Sequence, residues 1–211
     1  MALQMKVLSV TPFQQNTALL WDDLNGEAVF TDVGGEADYL LAEAASRQLK
    51  PQAIWLTHGH LDHAAGVVDF SQKLPLSILG PQQKDEFWLN KLPEITKQYN
   101  FPVSPAFQPT RWLNDGDVVT VGEHIFLVMH IPGHTPGHVV FYNAENNLLI
   151  AGDVLFRESI GRTDFPLGNH AELIAGIRSK LFVLPDETRV LPGHGPMTTI
   201  GHEKKFNPFL K

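Results

Sequence analysis

The chain has 211 residues, 43% of them hydrophobic, no cysteine, and 16 Lys plus Arg against 23 Asp plus Glu, a formal charge of −7. Length and apolar content suit one globular domain, 1–211, with a substantial core. The missing cysteine excludes disulfides, thiolate metal ligands and a cysteine nucleophile, and the acidic balance disfavours nucleic acid, whose phosphates demand a concentrated positive field.

The opening Met1-Ala2-Leu3-Gln4-Met5-Lys6-Val7 lacks the basic start and long apolar core of a signal peptide. No apolar run approaches membrane-spanning length, so a soluble cytoplasmic protein with no membrane partner is expected.

Residues 5–10, 17–21 and 28–32 are short, β-rich and separated by turn residues such as Asn25-Gly26, which predicts an antiparallel meander. The period then changes. Over 36–49, apolar residues at Leu40, Leu41, Ala44, Ala45 and Leu49 follow helical spacing, and Pro51 stops the pattern. Residues 53–56 read as a buried strand delivering His58 at its C-terminal end, with a helix starting near Ala64. Residues 81–112 are the least regular. Phe87, Trp88, Leu89, Leu92, Ile95, Tyr99 and Phe101 form a helical apolar stripe, and Pro102, Pro105 and Pro109 stiffen the loop behind it. These aromatics either pack the segment onto the core or place Trp88 or Phe87 in the wall of a substrate cleft.

A second β-rich block follows Asp115-Gly116-Asp117, with strands expected at 118–121, 124–131, 139–142 and 148–151, a helix over about 171–181 and a strand at 189–191. Two halves of similar plan predict an α/β fold in which two sheets pack face to face with helices on the outer faces, an αβ/βα sandwich.

The chemistry concentrates in Thr57-His58-Gly59-His60-Leu61-Asp62-His63, which packs three imidazoles and a carboxylate behind a strand. Residues two apart in extended chain point the same way, so His58 and His60 can reach one metal while Asp62 and His63 face a second. Imidazole and carboxylate suit zinc, and equally iron or manganese. Further donors stand at the ends of expected strands: His134 in Pro132-Gly133-His134-Thr135-Pro136-Gly137-His138, Asp153 in Gly152-Asp153-Val154, and His194 in Pro192-Gly193-His194-Gly195-Pro196.

With these donors in this order, the chain resembles the metallo-β-lactamase superfamily. The stretch 132–138, Gly152-Asp153, Gly161-Arg162-Thr163-Asp164-Phe165-Pro166 and the ending Asn207-Pro208-Phe209-Leu210 are similar to the short glyoxalase II-type hydrolases of bacteria. The resemblance implies a four-layer sandwich and two divalent ions, zinc foremost. His58, His60 and His134 would hold one ion, Asp62, His63 and His194 the other, and Asp153 would bridge both. It implies hydrolysis of a small-molecule glutathione thioester, S-lactoylglutathione to lactate and glutathione, through a metal-bound hydroxide, with Asp62 and Asp153 supplying negative charge. Arg162 would contact a glutathione carboxylate, although pairing with Asp164 or another acid is equally open to it. His138 is expected to orient a neighbour rather than to ligate, His124, His130 and His202 have no motif role, and His170 is expected to be an exposed residue near a helix start.

The longer glyoxalase II enzymes carry a C-terminal helical domain, which is not expected in this chain, and a Tyr after the last ligand His, where Gly195-Pro196 stands here. A persulfide dioxygenase of the same fold, with one iron on two His and one Asp, is the main rival. An exported β-lactamase, an RNA-processing relative and a binding module without turnover are disfavoured.

Overall fold

The computed structural model describes residues 2–211. Strands β1 (Leu3–Val10) and β2 (Gln15–Asp22) pair antiparallel from Leu3 with Asp22 to Val10 with Gln15. The tight turn between them holds Thr11 and Gln14 in the left-handed region, φ 65° and 54°. Strand β3 (Glu27–Thr31) continues the meander. Helix α1 (Ala37–Ser46) then crosses over to β4 (Lys50–Trp55), parallel to β3. The crossover stops earlier than the sequence suggests. Gln48 is left-handed at φ 56°, and Gln48 and Leu49 donate back to the carbonyls of Ala45 and Ala44, a Schellman closure. Pro51 therefore lies inside β4 and does not end the helix.

The helix expected near Ala64 is two short ones, α2 (Leu61–Ala64) and α3 (Val67–Lys73), so Asp62 and His63 are already helical. Strand β5 (Ser77–Leu79) adds parallel to β4, and α4 (Glu86–Gln98) carries the apolar stripe of the irregular segment.

The second sheet repeats the plan with β6 (Val118–Val121), β7 (His124–His130), β8 (Val139–Asn143) and β9 (Leu148–Gly152), all antiparallel. A small hairpin, β10 (Leu155–Phe156) and β11 (Ser159–Ile160), follows. Helix α5 (His170–Gly176) runs into a π turn over Ile177–Leu181 and leads to β12 (Arg189–Pro192), parallel to β9. The edge strand β13 (Thr198–Thr199) and α6 (Ile200–Phe206) close the order.

Three apolar cores separate four layers. Phe30, Leu40, Ile54, Phe70 and Leu89 pack the first sheet against α1, α3 and α4. Between the sheets, Trp55 meets Phe126 and Phe141 at 5.1 and 5.2 Å between ring centroids. Val140, Leu149, Leu173, Ile177 and Ile200 pack the second sheet against the C-terminal helices. The result is the expected αβ/βα sandwich, two mixed sheets inside and helices outside. Among the described residues, no helix is long and apolar enough to cross a membrane.

Candidate metal centre

Every predicted donor lies just beyond the C-terminal end of a strand, where α/β sheets commonly bind ligands. The loop after β4 carries His58. His60 is the extended residue that opens α2, and Asp62 and His63 follow in its only turn. His134 lies between β7 and β8, Asp153 after β9, and His194 after β12. Gly152 precedes Asp153 at φ 49°, and a Cβ there would lie 2.8 Å from the His138 ring, so glycine answers both the backbone and the space.

The structure gathers all seven. His58, His60 and His134 form one group of converging donor atoms, Asp62, His63 and His194 a second, and Asp153 joins His58 and His63 in a third. Nδ1 of His60 is 3.0 Å from Nε2 of His134. Asp153 reaches both sides, with Oδ2 3.5 Å from His134 Nε2 and Oδ1 3.4 Å from His63 Nε2. Asp62 Oδ2 lies 3.0 Å from His194 Nε2 and 3.6 Å from His63 Nε2. A tetrahedral ion with bonds of about 2 Å separates neighbouring donors by about 3.3 Å, so these spacings fit cation binding. Nε2 of His58, Nε2 of His63 and Oδ1 of Asp153 are buried without a hydrogen-bond partner. Such orphans are costly unless a ligand meets them.

Electrostatics favour neutral imidazole on one side and a carboxylate between. Burial holds His58 and His60 well below the ordinary histidine value, reinforced by neighbouring imidazoles, and burial also lowers His134. Burial would raise Asp153, but the charge of His63, 3.4 Å away, holds it well below the carboxylate range, with His134 and His194 acting the same way. Burial likewise opposes a charge on His63, yet Asp153, Asp62 and Asp32 together raise it. Burial acts the same way on His194, against the Asp62 carboxylate 3.0 Å away, which raises it together with Asp153.

The outward ring nitrogens are tied down. His134 Nδ1 donates to the Arg162 carbonyl at 2.8 Å, and His194 Nδ1 to the Phe13 carbonyl at 3.0 Å. Such bonds set tautomer and ring angle. Nε2 of His138 accepts from the Asp153 backbone N–H at 3.0 Å, and its ring stacks on His58 at 4.7 Å. That arrangement orients neighbours, as the sequence reading has it.

Two residues the sequence reading missed brace the motif. Asp32 is buried and accepts from the Thr57 backbone N–H and hydroxyl, both at 2.8 Å, and faces His63 Nδ1 at 3.1 Å. Asp85 is buried and accepts from Gly59 N–H and the Thr135 hydroxyl, both at 2.8 Å, and from Gly137 N–H. It thereby ties the His58–His63 loop to the His134 loop. Burial raises its pKa to about 6, against the three hydrogen bonds. Asp32 ends an expected strand before Gly34-Gly35, a weak hint, whereas Asp85 sits in the polar run Gln82-Gln83-Lys84-Asp85-Glu86 and gives none.

Above the donors opens a cleft of about 960 Å³ whose floor includes His60, Asp62, Asp153 and His194. Trp88 is buried in its wall, edge-on to His60 at 4.5 Å. Phe87 packs against Trp88 instead, 5.3 Å away. Arg162 lines the cleft, but its guanidinium donates twice to Asp164, at 2.7 Å each, and lies 4.2 Å over Phe165. Among the other histidines, His170 is exposed, His130 donates to the Pro136 carbonyl and His202 pairs with Glu158.

A four-layer sandwich with clustered His and Asp donors at its strand ends places the chain in a class of metal-binding α/β proteins. The chain belongs to the metallo-beta-lactamase superfamily, which it matches over residues 10–194. It is 42% identical over 209 residues to the hydroxyacylglutathione hydrolase GloC of Haemophilus influenzae, covering 99% of this chain and 98% of that one. Among solved structures it is similar to the BLEG-1 B3 metallo-beta-lactamase, with 38% identity, TM-score 0.90 and coverage of 98% and 99%. TTHA1623, crystallised in a di-iron-bound form, is similar at 36% identity and TM-score 0.88, with coverage of 97% and 100%.

Proposed function

We propose that the protein is a binuclear thioester hydrolase of glyoxalase II type, converting S-lactoylglutathione to lactate and glutathione. The observation that carries this reading is the end-to-end similarity to the GloC hydrolase, supported by seven converging donors beneath a cleft. Bound divalent ions, zinc first among them, supply Lewis acidity and a water acidified enough to act as nucleophile at neutral pH.

His58, His60 and His134 would hold one ion, and Asp62, His63 and His194 the other. Asp153, with one oxygen toward His63 and the other toward His134, would serve both. Asp62 and Asp153 would balance the cationic charge, and the Phe13 carbonyl, hydrogen-bonded to His194 Nδ1, keeps that imidazole aimed inward, with Nε2 3.0 Å from Asp62. Trp88 and Phe165 flank His60 at 4.5 and 4.7 Å and exclude bulk water from that side of the cleft. No side-chain nucleophile is required, in keeping with a chain without cysteine.

The test is turnover of S-lactoylglutathione by the purified protein, with metal measured on the same sample and Asp153→Ala beside it. Turnover with about two ions per chain, lost in the variant, supports the reading. A single iron with oxygen uptake on glutathione persulfide would replace it with the dioxygenase reading. Two ions with hydrolysis confined to β-lactams would keep the site and change the substrate.

A further inference from the structure

The cleft carries three cations, Lys91, Arg157 and Arg162, and they are not equivalent. Arg162 spends both arms of its guanidinium on Asp164. A second carboxylate would have to compete with that pair. Lys91 and Arg157 form no ion pair among the described residues. Lys91 Nζ rests 4.6 Å over the Phe87 ring, and Arg157 stands exposed on the β10–β11 hairpin beside Phe156.

Glu94 also lines the cleft, three residues along α4 from Lys91 and therefore on the same helix face. The two are placed to pair, yet they do not. A lysine and a glutamate on one helix face, both lining the cleft and unpaired, present the complement of an amino-acid head group, in which one carbon bears a carboxylate and an ammonium. Arg157 offers a fork suited to a further carboxylate.

We propose that Lys91 and Glu94 receive the α-carboxylate and ammonium of a γ-glutamyl end, while Arg157 receives the carboxylate of the glycyl end. The inference rests on the glutathione reading and moves the substrate grip from Arg162 to these three residues. The thiol half is thus recognised by charge at both ends, and the acyl half is left to the aromatic part of the cleft.

The experiment is calorimetric binding of S-hexylglutathione, a thioether that cannot be hydrolysed, to zinc-loaded protein. Arg157→Gln, Lys91→Gln and Glu94→Gln should each weaken binding roughly fivefold, the upper range for exposed charge pairs. The decisive arm is a double cycle. A ligand amidated at its glycyl carboxylate should bind wild type roughly fivefold more weakly, and Arg157→Gln should then cost it almost nothing further. An N-acetylated ligand should behave likewise with Glu94→Gln.

Additive losses, unchanged affinities in the variants, or no binding of S-hexylglutathione by wild type would each overturn the grip. Charge-dependent binding without turnover of any glutathione thioester would overturn the hydrolase reading and leave the grip standing.

Discussion

Nδ1 of His63 lies 3.1 Å from Oδ2 of Asp32, a carboxylate that the end of β3 delivers to the buried side of the motif. The same oxygen accepts from the Thr57 hydroxyl, which in turn lies 3.0 Å from His58 Nδ1. One carboxylate thus sets the angle of a donor in each group.

Asp32→Asn should leave the fold intact, because asparagine tolerates the left-handed φ of 51° found there. Its amide would meet donors with a donor. Loss of a group that orients ligands costs roughly 10–100-fold in metal affinity, readable by competition against a chelator. An unchanged affinity would reduce Asp32 to a packing role.

At Gly193 the constraint is space. A Cβ there would lie 2.1 Å from Asp153 Oδ1 and 2.7 Å from the His63 ring. The backbone cannot yield easily, since Gly193 N–H donates to Gly152 and its carbonyl accepts from Asn16. Gly193→Ala should cost roughly 1–3 kcal/mol of stability, as overpacking does, and lower the metal content measured by emission spectrometry. Full metal loading would show that Asp153 has room to move.

Asp85 gives a pH signature. Its folded-state pKa, about 6, lies above the ordinary 3.8 because of burial. The stability it contributes is therefore present below about 3.8 and lost as pH rises through about 6, on the order of 3 kcal/mol by linkage. Urea melts of wild type should lose more stability between pH 4 and 7 than those of Asp85→Asn. Parallel pH profiles would show that Asp85 keeps an ordinary pKa.

Trp88 packs its ring against His60 and its Cβ against Gly59, where an added Cβ would lie 2.8 Å away. Trp88→Ala should cost about 3–5 kcal/mol, typical of a large aromatic removed from a packed site. An unfolding free energy lowered by less than about 1 kcal/mol would place the ring outside the packed wall.

Much of the molecule is legible in the chain because its signals are local. The β meanders and the apolar stripe of α4 follow from periods of two and 3.6 residues, and the donors stand out because His58, His60, Asp62 and His63 fall within six consecutive positions. The helix ends at Ser46, ahead of the stop that Pro51 suggests, because Gln48 supplies a left-handed closure that does not require glycine. Strands β5, β10, β11 and β13, each two or three residues long, are too short for any period to register.

What the sequence alone determined is therefore the sandwich class and which His and Asp residues are candidate donors. The tertiary structure decided what faces those donors. Asp32 is 31 positions from His63, and Asp85 is 26 from Gly59 and 52 from Gly137. Whether a carboxylate braces an imidazole, pairs with an arginine or meets solvent depends on which strand ends the sheet order brings together. Arg162 shows how a local motif leaves two partners open, a ligand carboxylate or Asp164 two residues on, and the folded chain takes Asp164. Local spacing tells which side chains can act together along one segment; burial and long-range pairing determine which of them remain available to a ligand.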